Sequence, residues 1–295
     1  MTSTADRDAR LYLLRVAEHP SRRVHAYVAE QGAVRAAADI RDGTAPILVR
    51  LEAHHPERSI DSDLSVLDTG RSLLSPDQAA WAGDRLAALP ADERPFALWV
   101  RGNASLAELS TRAVTITGAR AATSYGSTVA ADFATAATQH GVTVINGGAY
   151  GIDEAALRAT IAARGRGIVI LPCGIDLVHP QANAALFDLV VEHGGLVVSE
   201  YAPGCVPTRA RRIGRCRLLA ALSSVTLIVE AGRRSGAISV ADTATQCGRS
   251  VLGVPGSIFS AMSAGVHDMI RAGTATVVTK PEDMLGAATD PHDEI

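Results

Sequence analysis

One stretch decides the fold, AVTITGARAATSYGSTVAADFATAATQHGVTVINGGAYGID (residues 113–153), because it joins two apolar runs through a helical pattern. The runs Ala113–Thr117 and Val142–Asn146 are rich in apolar and β-branched residues, which is typical of strands covered on both faces. Between them, apolar residues recur at helical spacing and predict a helix over Ser127–His140. The stretch therefore predicts a strand–helix–strand unit of a parallel sheet.

The same alternation continues toward the end of the chain. Further strands are predicted at Gly167–Leu171, Leu196–Ser199, Val225–Val229, Val251–Val254 and Thr276–Thr279. Helical patterns between the strands cover Glu154–Ala163, Ala184–His193, Arg217–Leu222 and Ile238–Cys247. The predicted fold class is α/β, a doubly wound and mostly parallel Rossmann-like sheet with a small N-terminal helical domain.

The part of the chain before this alternation is predicted to be mainly helical. Apolar residues at helical spacing predict short helices from Asp6 to about Asp42, and the proline-containing stretch Gly43–Leu74 is expected to be a loose junction. The expected organisation is an N-terminal helical domain with this junction over residues 1–72, a Rossmann-like domain over residues 73–287 and a disordered tail over residues 288–295.

A further helix start is predicted where the Rossmann-like domain begins. The sequence Ser75-Pro76-Asp77-Gln78 combines an N-cap serine, a first-turn proline and a capping-box glutamine. We therefore expect a helix from Ser75 to about Leu89.

The composition restricts the class of protein. Hydrophobic residues make up 47% of the chain and charged residues 20%, values typical of a soluble protein with a substantial core. No apolar run reaches the roughly 18–20 residues that cross a bilayer, and the first residues are polar, so we expect a cytoplasmic protein without membrane contact. The four cysteines form no C-x-x-C pair, so no metal site is expected. The net charge of −3 means that any basic site must be local.

Glycines follow the predicted strands at the edge where the carboxyl ends of parallel strands meet. Gly118, Gly147, Gly148 and Gly256 lie there, and glycine lets backbone N–H groups approach an anion closely. A tight turn between a strand and a helix also needs glycine, so this alternative stays open. The dinucleotide fingerprint G-x-G-x-x-G is absent, and Asn146 stands where an acidic residue would hold a ribose, so neither a cofactor nor hydride transfer is expected.

An arginine-rich segment, TRARRIGRCR at residues 208–217, is the second distinctive feature. No acidic residue lies between Tyr201 and Val229 to neutralise it, and it should overhang the same edge of the sheet. Its last two arginines, Arg215 and Arg217, lead into a predicted helix, whose N-terminus favours anions. The segment therefore predicts a phosphate site, with a solvated basic loop as the alternative. The arginines that could extend the site are Arg120, Arg166, Arg233 and Arg234.

Taken in order, segments between Leu98 and Val278 resemble the DNA-processing protein A (DprA/Smf) family. The matching segments are Leu98–Asn103, Ile116–Arg120, Ser124–Gly126, Asn146–Asp153, Gly174–Asp176, Ser199–Gly204, Ser235–Ala237, Gly248–Arg249, Val254–Gly256 and Gly265–Ile270. The resemblance implies a homodimeric protein that binds single-stranded DNA without marked sequence preference and performs no catalysis. It also implies that the protein helps to load the recombinase RecA during DNA uptake, natural transformation and recombination.

The resemblance places DNA-contacting residues at Arg120, Arg215 and Arg217. The positions at which the chain departs from the family pattern are Tyr150, Arg212, Cys216 and His267. Combined with the glycines and arginines above, the predicted contacts to nucleic acid are Gly118, Arg120, Tyr125, Gly147, Gly148, Arg209, Arg211, Arg212, Arg215, Arg217, Ser235 and Gly256.

Two alternatives to binding of single-stranded DNA stay open. One is a sensor that binds a small nucleotide at the same edge of the sheet. The other is a phosphoribohydrolase-like enzyme on a related Rossmann-like fold, which would use Glu200 and Glu230 at the ends of predicted strands. Each of these carboxylates could equally cap a turn.

Overall fold

The structure is a computed structural model that describes residues 3–18, 20–55, 58–67 and 69–288. Within these ranges nine strands form a single sheet. The strands are β1 (Arg71–Leu74), β2 (Leu98–Arg101), β3 (Ala113–Thr117), β4 (Thr143–Asn146), β5 (Gly167–Ile170), β6 (Leu196–Ser199), β7 (Val225–Ile228), β8 (Ser250–Gly253) and β9 (Thr276–Val277).

Helices build the N-terminal part of the chain and cover the sheet. They are α1 (Thr4–Val16), α2 (Arg22–Gln31), α3 (Ala33–Arg41), α4 (Ile47–Glu52), α5 (Asp61–Leu67), α6 (Gly83–Leu86), α7 (Leu106–Thr111), α8 (Ser124–Gln139), α9 (Ile152–Ala162), α10 (Ala184–Glu192), α11 (Arg209–Gly214), α12 (Cys216–Ala221), α13 (Gly236–Gln246), α14 (Ala264–Arg271) and α15 (Pro281–Ala288), with 3₁₀ turns at Ala91–Glu93 and Gln181–Asn183. None of the described helices is both long and apolar enough to cross a bilayer.

The strand order β1-β2-β6-β5-β4-β3-β7-β8-β9 confirms the predicted doubly wound α/β fold. Strands β3 to β9 run parallel, and β2 pairs with β6 in the antiparallel direction. From β3 the chain winds outward through β4, β5 and β6, and it then crosses to the other side of β3 to form β7, β8 and β9. The winding direction therefore reverses between β3 and β7, and crevices for ligands form at such a point.

The helices bury the two faces of the sheet in separate clusters, which explains why the central strands are apolar at nearly every position. On β4, the side chain of Ile145 joins the cluster that contains α12 and α13, whereas its neighbour Val144 joins the cluster beneath α8 and α9. Successive strand residues point to opposite faces, so both faces must be apolar. All seven strands predicted from this pattern are present within two residues of their predicted ends.

The stretch Gly43–Leu74, which the sequence predicted to be a loose junction, instead contains two helices and an edge strand. Helices α4 and α5 lie in it, and β1 pairs antiparallel with β2, with Arg71 opposite Arg101. Residues Arg71–Leu74 lie outside the alternation of strands and helices that predicts the parallel sheet, and their pairing with β2 defines them as a strand. The predicted domain boundary between residues 72 and 73 falls inside this strand.

The helix predicted from Ser75 to Leu89 is wrong over most of its length. The Ser75 N–H does donate to Gln78 Oε1 at 2.9 Å, as a capping box requires, but residues 76–82 form turns and α6 is only four residues long. The consecutive residues Ala80, Trp81 and Ala82 all pack on the same core cluster. Three successive residues cannot share one face of a helix, so tertiary packing overrides the local capping signal.

The N-terminal helices share their core with the sheet. Leu11 and Tyr12 of α1 belong to the same buried cluster as Trp99 of β2 and Phe187 of α10. This packing fixes the position of α1 relative to the sheet, and with it the position of Glu18, which follows α1. At the other end of the chain, Ala288 is the last residue of α15, and the remainder of the predicted disordered tail, residues 289–295, lies outside the described residues.

Candidate nucleic-acid interface

A cleft of about 840 Å³ lies at the carboxyl ends of β3 and β7, where the winding direction of the sheet reverses. Gly118 and Arg120 line it after β3, and Gly232 lines it after β7. Helix α11 and the N-terminus of α13 form two further walls. The cleft therefore occupies the position that topology predicts for a ligand site in an open α/β sheet.

Arginines dominate the walls of this cleft, which we call the arginine cleft. The arginines that line it are Arg120, Arg209, Arg212, Arg215, Arg233 and Arg234. Among the described lining residues, Asp153 is the single acidic side chain, and it is 97% buried. The positive charge also acts on His179, because burial and then the charges of Arg215, Arg212 and Arg120 lower the pKa of that imidazole.

Arg215 lies at the floor of the arginine cleft and is held by backbone carbonyls. Its Nη1 donates to the oxygens of Gly147 and Ile170, each at 2.6 Å, at the carboxyl ends of β4 and β5. A Cβ atom at Gly147 would lie 2.5 Å from Nη2 of Arg215, so position 147 must be glycine for the guanidinium to fit. Burial lowers the pKa of Arg215, and the negative charge of Asp153 opposes that shift.

Asp153 organises the turn that supports Arg215. Its carboxylate accepts the hydroxyl of Thr117 at 2.7 Å and the N–H groups of Gly147 and Ala149 at 3.1 and 3.2 Å. The N–H of Gly148 donates to Asn146 Oδ1 at 2.8 Å. The predicted role of these glycine N–H groups as anion donors is therefore corrected, since side chains of the protein already accept them. Gly147 instead makes room for Arg215, and Gly148 makes room for Phe187.

Gly118 and Ser235 lie at the arginine cleft for different reasons. A Cβ atom at Gly118 would lie 2.6 Å from the carbonyl oxygen of Glu230, so glycine permits the close approach of β3 and β7. Ser235 is the N-cap of α13, where its hydroxyl accepts the N–H of Ala237 at 3.3 Å. The partial positive charge of this helix N-terminus adds to that of the arginines.

Arg211 points away from the arginine cleft and joins the N-terminal helices. Its Nε donates to Glu18 Oε2 at 2.9 Å and its Nη2 to Oε1 at 2.5 Å, and its backbone carbonyl accepts the hydroxyl of Tyr201 at 3.0 Å. This ion pair fixes α11, the helix that carries Arg209 and Arg212 into the cleft. The prediction that Arg211 meets phosphate is therefore corrected to a supporting position, because Glu18 already pairs with its charge.

Arg217 is buried on another side of α12 and does not line the arginine cleft. Its guanidinium forms an ion pair with Glu200, and it donates to the carbonyl oxygens of Glu93 at 2.7 Å and Gly214 at 2.9 Å. Only 3% of the residue is exposed. The guanidinium of Arg217 is therefore occupied by other groups of the protein. This differs from the prediction that Arg217 lies beside Arg215 and contacts DNA.

Tyr125 and Gly256 line a neighbouring cavity of about 520 Å³ instead of the arginine cleft. The hydroxyl of Tyr125 donates to the carbonyl oxygen of Pro255 at 2.7 Å, and the N–H of Gly256 donates to Nε2 of His267 at 3.2 Å. The two cavities lie on either side of one loop, residues 256–263. The predicted site residues thus divide between two adjacent cavities and positions, such as Arg211 and Arg217, that line neither cavity.

The two carboxylates considered for catalysis both have structural partners. Glu200 pairs with Arg217, and Glu230 accepts the N–H and the hydroxyl of Thr123 at 2.9 and 2.6 Å at the N-terminus of α8. A Cβ atom at Gly126 would overlap the Glu230 carboxylate, so the glycine leaves space for it. No group of three or more histidine, cysteine, aspartate or glutamate side chains suited to a metal occurs among the residues that the structure describes.

Some features of the site had no clear signal in the sequence. Glu18 and His179 are separated from the arginine-rich segment along the chain, and nothing local connects them with it. Asp153, by contrast, is the last residue of the glycine-rich motif after β4. Its place in that motif could have indicated a carboxylate that accepts N–H groups of the turn. Arg166 precedes β5 and lies beside Arg164 at the opposite edge of the sheet, so it does not extend the arginine cleft.

Comparisons with known proteins agree on one family. The family model of the DNA recombination-mediator protein A matches residues 75–289. A relative from Mycobacterium tuberculosis that bears the name DprA is 40% identical over 287 residues, which cover 93% of this chain and 73% of that protein. Protein Smf of Escherichia coli is 34% identical over 230 residues, which cover 78% of this chain and 60% of that protein.

Two solved structures resemble this chain over most of their length. DNA processing protein A from Streptococcus pneumoniae has a TM-score of 0.77 at 26% sequence identity, covering 97% of this chain and 98% of that one. DNA processing protein A from Helicobacter pylori, whose structure concerns a single-stranded DNA binding mode, has a TM-score of 0.64 at 26% identity. That match covers 73% of this chain and 94% of the Helicobacter chain.

Proposed function

This chain belongs to the DNA recombination-mediator protein A family, and from that premise we propose that it binds single-stranded DNA in the arginine cleft. The observation that carries the proposal is the set of six arginines around one cavity at the reversal point of the sheet, with a single, buried carboxylate among the described lining residues. The similarity to the Helicobacter pylori protein, which binds single-stranded DNA, supports the same ligand.

The proposed chemistry is recognition of phosphate without reading of base sequence. Arg120, Arg209, Arg212 and Arg234 form no ion pair with any described residue, so their guanidinium groups remain available. A guanidinium binds a phosphate with two parallel hydrogen bonds, and phosphate contacts carry no sequence information. Affinity would then depend strongly on salt, because each neutralised phosphate releases counterions.

The wider biological role extends this proposal. We propose that the protein acts in the cytoplasm as a homodimer that helps to load RecA on single strands during DNA uptake and recombination. Membership of the family supports this role. Catalysis has no part in the proposal, since both Glu200 and Glu230 serve as partners of other residues.

The test measures binding of fluorescent dT oligomers to the wild-type chain and to Arg120→Ala at several salt concentrations. Arg120 is exposed, so we expect normal stability, affinity about tenfold lower and a salt dependence flatter by about 0.7 in log–log slope for the lost phosphate contact. Arg166→Ala is the matched control, since it removes an exposed arginine at the opposite edge of the sheet and should change nothing.

Two outcomes would contradict the proposal. The first is equal affinity of the wild-type chain, Arg120→Ala and Arg166→Ala for the oligomer. The second is binding of a mononucleotide such as dTMP as tightly as an oligomer, which would favour the sensor of small nucleotides.

A further inference from the structure

The loop of residues 256–263, which follows β8, separates the arginine cleft from the neighbouring cavity. Ala261 and Met262 of this loop line the arginine cleft, whereas Ser257 and Ser260 line the other cavity together with Tyr125. One loop therefore contributes residues to both cavities. We call the neighbouring cavity the tyrosine cavity.

The loop presents an aromatic side chain to solvent. Phe259 is 94% exposed, whereas the other phenylalanines of the chain, Phe96, Phe133 and Phe187, are at most 6% exposed. Ile258 beside it is 82% exposed. A ring that is 94% exposed buries almost no area in the fold, so it is accessible to a ligand.

Hydrogen bonds within the loop hold Phe259 in this position. The N–H of Phe259 donates to Ser257 Oγ at 3.2 Å, and the N–H of Ser260 donates to the carbonyl oxygen of Ser257 at 3.0 Å. The N–H of Met262 donates to Ser260 Oγ at 3.2 Å. Exposure of the ring is therefore a property of an ordered turn.

The two cavities differ in charge, as the phosphate and the base of a nucleotide do. The arginine cleft carries six guanidinium groups, whereas the described residues that line the tyrosine cavity include no lysine or arginine. Its single charged side chain, Glu230, is 98% buried and bonded to Thr123. Tyr125 is half-exposed, and its hydroxyl is tied to Pro255. One cavity thus suits phosphate and the other an uncharged aromatic base.

We propose that Phe259, together with Tyr125 and the tyrosine cavity, forms a stacking subsite for the bases of a single strand whose phosphates lie in the arginine cleft. The proposal rests on the proposed function and extends it to a second group of residues. Every base has an aromatic face, so stacking on these rings adds affinity for any sequence. The serine hydroxyls at the rim of the cavity can donate to or accept from any base edge, which likewise selects no sequence.

The test compares three variants of the full chain for affinity to a dT oligomer. Phe259→Ser and Phe259→Leu should each weaken binding about tenfold, because each loses stacking on one base. Their salt dependence should equal that of the wild-type chain, since no phosphate contact is lost. Ile258→Ser is the matched control, because it removes an aliphatic side chain that is also largely exposed from the same loop and should not alter affinity.

A direct readout comes from Phe259→Trp. Stacking of a base on the indole should quench its fluorescence when the oligomer is added, and free mononucleoside should not compete. Unquenched fluorescence on saturation with the oligomer would overturn the subsite. So would retention of affinity in Phe259→Leu but not in Phe259→Ser, which indicates an apolar contact without stacking.

The remaining outcomes separate this inference from the function on which it rests. Full affinity in both Phe259 variants, with normal binding by the wild-type chain, would overturn the subsite and leave the arginine cleft as proposed. Loss of self-association in sedimentation with unchanged affinity for DNA would show that the loop contacts protein, and it would overturn the subsite as well. If the wild-type chain binds no oligomer, the function and the subsite both fail.

Discussion

Replacement of Arg217 by alanine distinguishes a structural arginine from a DNA-binding one. The structure buries its guanidinium against Glu200 and gives it the carbonyl oxygens of Glu93 and Gly214 as further acceptors. Glu200 is itself only 8% exposed, and its Oε2 has no hydrogen-bond partner among the described residues. In Arg217→Ala the carboxylate would remain buried without any compensating charge.

The expected loss of stability is large. Removal of one partner of a buried ion pair costs about 3–5 kcal/mol in the free energy of unfolding. For a chain of this length, where each kcal/mol lowers Tm by roughly 2 °C, the melting temperature should fall by about 6–10 °C. Arg217→Met with Glu200→Gln should recover part of the loss, since the double variant leaves no unpaired charge.

The assay combines thermal or urea unfolding with DNA binding by the folded protein at low temperature. We expect Arg217→Ala to unfold at a lower temperature and urea concentration than the wild-type chain. Its folded fraction should bind DNA with the salt dependence of the wild-type chain. Arg120→Ala, by contrast, should keep the wild-type Tm and bind DNA with a flatter salt dependence. If Arg217→Ala instead kept its Tm and behaved like Arg120→Ala in binding, the assignment of Arg217 to the core would be refuted.

Two further predictions concern Gly147 at the floor of the arginine cleft and the effect of the cleft's positive charge on His179. Gly147→Ala places a Cβ 2.5 Å from Nη2 of Arg215 and should cost about 1–3 kcal/mol in urea unfolding and weaken DNA binding. Gly83→Ala, whose Cβ would make an ordinary contact of 3.5 Å with Trp81, should do neither, and equal stability of the two variants would contradict the placement of Arg215. The pKa of His179 lies below its usual value, and bound phosphates should raise it, so the complex takes up a proton and affinity rises as the pH falls below about 6.5. An NMR titration of His179 with and without a dT oligomer measures this shift, and identical titration curves would show that no polyanion lies near it.

The central sheet could be predicted from the sequence because its strands are apolar on both faces. Runs such as Gly167–Leu171 and Val225–Val229 need no distant information to be recognised, and the parallel arrangement follows from the helices between them. Strands β1 and β2 could not be predicted, because they precede the regular alternation of strands and helices and are defined by antiparallel pairing, β1 with β2 and β2 also with β6. The same limit explains the helix wrongly expected after Ser75, where contact with the core prevailed over a local cap.

The position of the site could be predicted from the sequence, but which arginines line it could not. Parallel strands bring their carboxyl ends to one edge whatever the side chains are, so a cleft after β3 and β7 follows from topology alone. How many arginines of such a segment remain unpaired depends instead on acidic residues elsewhere in the chain. No acidic residue lies within the segment, yet Glu18, 193 positions from Arg211, and Glu200, 17 positions from Arg217, each pair with one of its arginines.

This dependence on distant acids has a general consequence for basic segments on α/β sheets. Counting charges along the segment overestimates the number of guanidinium groups that a ligand can reach, because α11 and α12 turn some arginines toward the cleft and others toward acids of the protein. Arg209 and Arg212 face the cleft, whereas Arg211 and Arg217 pair with acids of the protein and Arg215 is buried at the floor of the cleft. The inward arginines fix the helices that present the outward ones. A variant of an inward arginine can therefore lose DNA binding because the protein is destabilised. The free energy of unfolding of that variant must be measured before a DNA contact is assigned.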